Sequence, residues 1–214
     1  IVKNISWLTF DYAFKFIGLF VIGTLVARYL GPELFGKFSY VQSIILMLCT
    51  LCSFGLPSIL LKEFSEKDSK DSYLFGSALA IYLFFIGCSF GIIIIIALNY
   101  SGSDEDLVLM LLVFSIRFIS MPSEIWKVFF ESKVQSKYFV IAEFYSYIIL
   151  FGLQIFFVLY SYNVIYLISA IVIQTLISSL ILTYFLFHKY KIAFKLNVKF
   201  IKYLIRKSSF PFYS

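Results

Sequence analysis

The sequence predicts an all-α transmembrane bundle of six helices followed by the start of a seventh, and three observations carry that prediction. First, the 214 residues are 61% hydrophobic with a mean hydropathy of +0.94, whereas soluble domains run at roughly 45–50% apolar. Second, six apolar stretches are each long enough, at about 1.5 Å per residue, to cross a hydrocarbon core of roughly 30 Å. Third, the basic residues fall on alternate connectors between those stretches. Twenty-seven Phe and sixteen Tyr exceed what one soluble core of this length can bury, so most of that surface must face lipid.

The spans are expected at 8–30, 38–61, 73–98, 107–130, 138–160 and 164–187, together forming one bundle over residues 1–187. A basic connector covers 188–207, and 208–214 opens a truncated seventh span. The chain lacks an initiator Met and stops in mid-pattern at SSFPFYS, as expected of a piece of a longer protein. Its first apolar stretch is too long and too charged for a cleavable signal peptide.

In the first span, Asn4, Asp11, Lys15 and Gly18 share a face at about 100° per residue. Asp11 and Lys15 stand four apart, a spacing that permits an ion pair. The pair either neutralises itself or lines a polar cavity. Arg28, three residues before Gly31, is close enough to the end to snorkel to the interface. The joint from Gly31 through Pro32 to Gly36 and Lys37 combines two terminating glycines with a proline that cannot continue a helix. It predicts a helical hairpin.

The second span carries Ser39, Ser43, Thr50, Ser53 and Pro57 on one stripe, suited to helix packing or to substrate. Pro57, after Gly55, should loosen its last turns. The third span has no ionisable side chain of formal charge and reads as lipid-facing or general packing. The fourth is unusual. Arg117 lies near its middle, Ser120, Glu124 and Glu131 share a broad face with it, and Met121-Pro122 should bend the helix beside that charge. The carbonyls so released need other partners. Arg117 either contacts a cavity or substrate, or pairs with an acid from another helix. Glu124, Lys127 and Glu131 are near the span end, where headgroup contact alone is one reading of them. In the fifth span Glu143, Tyr147 and Gln154 align, and Glu143 is a candidate partner for Lys15 or Arg117. In the sixth, Gln174 and Ser178 lie together, and His188 ends the helix at the interface.

Segment 189–207 holds seven Lys/Arg and no acid, and is expected to include a short amphipathic segment on the anionic leaflet. With the N-terminus, 62–72, 127–137 and this segment on one side, fourteen of the eighteen Lys and Arg lie there. The positive-inside rule makes that side cytoplasmic.

Several function classes lose support. The charge clusters lie between spans and not on a soluble basic face, so no nucleic-acid partner is expected. Cys49 and Cys52 have redox-motif spacing but sit inside an apolar stretch, and a single His precludes a multi-histidine metal site. No nucleophile–base cluster or phosphate loop is present, so no catalytic residue, metal or cofactor is expected and the protein is not read as an enzyme. Charged side chains at membrane depth mark sites or pathways by default. Lys15 and Arg117, with helix breaks beside them, suit a transporter for an anionic or amphiphilic substrate.

Residues Ala27-Arg28-Tyr29-Leu30-Gly31-Pro32-Glu33-Leu34-Phe35-Gly36 resemble the first-hairpin signature of bacterial polysaccharide flippases, of the O-antigen and capsule export type. These belong to the multidrug/oligosaccharidyl-lipid/polysaccharide exporter superfamily. Phe54-Gly55-Leu56 followed by Lys62-Glu63 is similar to that family, as is the order of six spans, basic connector and seventh span. The resemblance implies an exporter of 12–14 helices of which this chain is the N-terminal six-helix bundle. Its expected activity is flipping of an undecaprenyl-pyrophosphate-linked oligosaccharide to the outer leaflet of the bacterial inner membrane by alternating access, with the N-terminus cytoplasmic.

Expected partners are that lipid-linked oligosaccharide, membrane lipids, and a polysaccharide polymerase with its chain-length regulator. In this reading Lys15, Arg117, Arg28 and Tyr147 bind substrate, while Asp11, Glu124 and Glu143 pair with the bases or couple ions. Gly31, Pro32, Gly36, Pro57 and Pro122 act as hinge and packing positions. The alternatives are a drug or small-solute exporter of the same superfamily and a non-transporting membrane component of polysaccharide assembly.

Overall fold

A computed structural model describes residues 2–66, 71–100 and 104–208. Among them every regular element is helical: α1 (Val2–Ser53), α2 (Leu56–Ser65), α3 (Asp71–Tyr100), α4 (Glu105–Ser115), a 3-10 turn (Ile116–Ser120), α5 (Ser123–Ser132), α6 (Lys137–Leu159), α7 (Val164–Lys189) and α8 (Val198–Ser208). Five helical stretches are long and apolar enough to cross a membrane. The expected start of a seventh span lies, beyond Ser208, outside the described residues.

The first stretch, Ser6–Ser65, has 60 residues; straight, it would run about 90 Å, three hydrocarbon cores. It is instead folded back at one residue. Gly31 has φ 70° and ψ 175°, a conformation that a Cβ makes costly, and Pro32 removes a donor while fitting the first turn of the next arm. Contacts at both ends establish the reversal. Lys137, opening α6, stands over the Trp7 ring at 6.0 Å, and the Tyr29 hydroxyl donates to the Tyr162 carbonyl beyond the end of α6 at 2.8 Å. The arm 2–30 therefore runs alongside α6. Lys37 pairs with Asp104 before α4 at 2.7 Å, and Lys133 after α5 donates to the Phe64 carbonyl at 2.8 Å. The arm from Pro32 through α2 thus runs the other way.

Two expectations about this hairpin need correction. The joint is one residue, not seven, because the helix resumes at Pro32. Gly36 is an exposed helical position with nothing within 4 Å of where its Cβ would sit, so it neither terminates the helix nor packs among the described residues. Further on, Phe54 (φ 43°) and Gly55 (φ 70°) break the arm, and Pro57 lies in the first turn of α2. The stripe packs only in part among the described residues: Ser39, Ser53 and Pro57 are half-buried, whereas Ser43 and Thr50 are exposed and their hydroxyls return to carbonyls of their own helix, at 2.8 and 2.9 Å.

Close packing concentrates elsewhere. A Cβ on Gly18 would enter the Phe151 ring, so glycine there lets the first arm close on α6. At the end nearest the α8 connector, Phe64, Phe75, Phe129 and Trp126 form an aromatic cluster with ring centroids 4.9–5.5 Å apart. Large apolar side chains such as Phe16, Phe20, Phe84 and Leu180 are exposed, an arrangement stable against lipid and not against water.

Residues 190–197 form no regular element and are docked on the bundle. The Lys195 amide donates to the Ser72 carbonyl at 3.0 Å, and the Lys195 carbonyl occupies the space a side chain on Gly76 would need. The amphipathic α8 buries Leu204 and holds α2 through Tyr203 and Lys207, both bonded to Glu63, at 2.7 and 2.5 Å.

Candidate functional site

The fourth stretch shapes the site. Sequence places one bend at Met121-Pro122; the structure spreads it over a 3-10 turn from Ile116 to Ser120, with Pro122 capping α5. Serine hydroxyls take up carbonyls that the altered ladder releases: Ser115 donates to Leu112, Ser120 to Arg117 and Ser123 to Ser120, at 2.6–2.7 Å. The break turns Arg117, Ser120, Ser123, Glu124 and Lys127 toward a cavity of about 270 Å³. Lys15 comes from the first arm, Glu143 and Tyr147 from α6, and Gln174, Thr175 and Ser178 from α7.

Lys15 is the most constrained cation. Its Nζ lies 2.7 Å from Asp11 Oδ2 and 3.2 Å from Glu143 Oε2, with the Tyr147 ring centroid at 5.2 Å. Asp11 is 3% exposed and its Oδ1 has no hydrogen-bond partner among the described residues. Glu143 Oε1 accepts from the Ser178 hydroxyl at 3.3 Å, and Gln174 Nε2 meets Ser146 Oγ at 3.1 Å. Two carboxylates on one ammonium, with hydroxyl and amide donors around them, satisfy most of the polar atoms that burial would otherwise penalise.

The other two cations differ. Among the described residues, neither Arg117 nor Lys127 makes an ion pair. Lys127 stands 5.1 Å from the Phe139 ring centroid. Glu124 accepts from the Tyr82 hydroxyl at 2.9 Å. The lining thus holds three cations and two carboxylates, and two of the cations have donors to offer an anion.

The sequence-derived residues therefore separate into groups. Lys15, Arg117, Tyr147, Glu124 and Glu143 converge on one cavity, while Asp11 sits behind Lys15 and does not line it. Arg28 is not brought there. It lies thirteen residues from Lys15, about 20 Å along the helix, in a separate groove with Val21, Thr24, Leu25, Tyr29 and Val158. Lys127, for which headgroup contact alone is one reading of the sequence, lines the cavity because the 3-10 turn redirects α5. Tyr82 was missed, since nothing marks one of sixteen tyrosines in a span without formal charge. Cys52 is buried against Ser89, Sγ to Oγ 3.1 Å, and Cys49 is also buried.

These features define an all-α, multi-span membrane protein with a charged cavity between its helices. The family of polysaccharide biosynthesis proteins matches residues 1–214, the whole chain. The chain belongs to that family. No curated protein and no solved structure matches it.

Proposed function

We propose that the protein flips an undecaprenyl-pyrophosphate-linked oligosaccharide from the cytoplasmic to the outer leaflet of the bacterial inner membrane by alternating access, as a transporter and not as an enzyme. Membership of the polysaccharide biosynthesis family supports the pathway. The observation that carries the reading is the pair of cavity cations, Arg117 and Lys127, that lack ion-pair partners among the described residues. A diphosphate needs such charge to enter a low-dielectric interior, and Arg offers paired donors matched to phosphate oxygens. Gln174, Thr175, Ser120 and Ser123 line the same space and suit sugar hydroxyls.

At about 270 Å³ the cavity falls just below the roughly 300–1,000 Å³ of complete small-molecule sites. It is sized for the diphosphate and the sugar nearest it, with the remaining sugars in space completed by other parts of the protein. In this reading Lys15 is held by Asp11 and Glu143 as a fixed charge that shapes the wall, and Tyr147 stacks on a sugar ring. The excess of Lys and Arg on the N-terminal side supports a cytoplasmic N-terminus. A polymerase and its chain-length regulator act on the product.

The test is complementation in a strain lacking the gene. Arg117→Gln combined with Lys127→Gln, at wild-type membrane abundance, abolishes surface polysaccharide if the reading holds. Normal polysaccharide with lost resistance to exported small molecules would favour the small-solute exporter, and normal behaviour in both assays would overturn the role of the cavity.

A further inference from the structure

We propose that the groove around Arg28 binds one glycerophospholipid of the leaflet opposite the basic connector, its phosphate on the Arg28 guanidinium and an acyl chain along Val21, Leu25 and Val158. The groove measures about 450 Å³, lies between the first arm of α1 and α6, and is walled by those residues with Thr24 and Tyr29. This site is separate from the charged cavity, and the inference does not depend on the proposed transport activity.

The groove's polarity is confined to one end. The Thr24 hydroxyl is bonded to the Phe20 carbonyl at 2.8 Å and the Tyr29 hydroxyl to the Tyr162 carbonyl at 2.8 Å, which engages both donors. Arg28 is exposed and has neither an ion pair nor a hydrogen bond among the described residues. One cation above an apolar trough matches one phosphodiester above a hydrocarbon chain. Val21 lies seven residues back along the helix, about 10 Å deeper, so the trough follows the direction an acyl chain takes from its headgroup.

The charge pattern of that end makes the match specific. Its connectors hold only Lys37 besides Arg28, and Lys37 is paired with Asp104 at 2.7 Å. Arg28, three residues before the Gly31 reversal, stands at headgroup depth, where its donors meet phosphate oxygens in bidentate geometry. A single arginine suits the single charge of a phosphodiester better than a diphosphate.

The experiment uses the full-length protein, delipidated in mild detergent and titrated with phosphatidylglycerol under native mass spectrometry. One bound phospholipid is expected, falling at least fivefold in Arg28→Gln and in the groove-filling Leu25→Trp. Lys37→Gln, the charge loss at the same end but outside the groove, leaves it unchanged, and size-exclusion profiles establish that each variant is folded. Diacylglycerol with the same chains binds at least fivefold less. Equal retention by Arg28→Gln, equal binding of diacylglycerol, or stoichiometric displacement by undecaprenyl diphosphate would each overturn the assignment. The first two would leave nonspecific annular lipid and the third a cargo site.

Discussion

Lys15 and Glu143 lie 3.2 Å apart, Nζ to Oε2, across the contact between the first arm of α1 and α6. With Asp11 on the same ammonium at 2.7 Å, the link is a triad of two acids and one base within the bundle. Removing the base should cost more than removing either acid, because the buried Asp11 and the half-buried Glu143 would both remain uncompensated. Lys15→Gln is expected to destabilise the protein by about 3 kcal/mol. Glu143→Gln costs less, and adding it to Lys15→Gln recovers part of the loss. Thermal unfolding in detergent measures the cycle, and strict additivity would contradict the triad.

The two glycines of the hairpin signature should respond oppositely. Gly31 occupies a backbone region that side chains adopt only with strain (φ 70°, ψ 175°), so Gly31→Ala should cost roughly 1–3 kcal/mol. Gly36 is helical with open space around it, so Gly36→Ala should stabilise by up to about 1 kcal/mol. Paired unfolding curves check the contrast.

Much of the site was legible from charge placed where charge is costly. Asp11 and Lys15 stand out at helical spacing in an apolar span, Arg117 stands out beside a proline, and Glu143 is the one acid in its span able to meet them. What escaped the sequence depends on backbone detail. A seven-residue joint and a single strained glycine share one sequence pattern, since Pro32 both breaks a preceding helix and opens a following one. Lys127 reaches the cavity only because the helix tightens from Ile116 to Ser120, which periodicity does not report. The second arm's serine and threonine stripe looked like packing, but these hydroxyls serve their own helix as readily as a neighbour.

Tyr82 supplies the hydrogen bond that Glu124 accepts, at 2.9 Å. Tyr82→Phe keeps the ring and removes only that donor, leaving a carboxylate oxygen short of a partner. The expected cost is about 1–3 kcal/mol, and Glu124→Gln combined with Tyr82→Phe should cost less than the sum of the two. Chemical denaturation of the four proteins reads the coupling.

Asp104 tests the outer end of the hairpin by pH. Its bond from Lys37, with help from the Leu107 amide, holds its carboxyl below the usual 3.8. A depressed folded-state pKa contributes stability that is present above 3.8 and lost as pH falls through the folded value. Amide protection at the start of α4 should therefore persist at pH 5 and fall in stronger acid. In Lys37→Gln the loss should begin at higher pH. Hydrogen exchange of residues 104–110 across an acid series measures it, and identical profiles would show that the Lys37 contact does not hold Asp104.

The central claim is that Arg117 takes a developing anionic contact inside the bundle while Lys15 is already committed to its acids. The most direct measurement is the rate at which full-length protein in proteoliposomes flips a fluorescent polyprenyl-diphosphate saccharide, compared between wild type and Arg117→Gln. A lost charge-assisted hydrogen bond of about 1.5–3 kcal/mol predicts a fall of roughly 10- to 150-fold, with Arg117→Lys between the two. A rate within twofold of wild type in folded, correctly inserted Arg117→Gln would contradict the account.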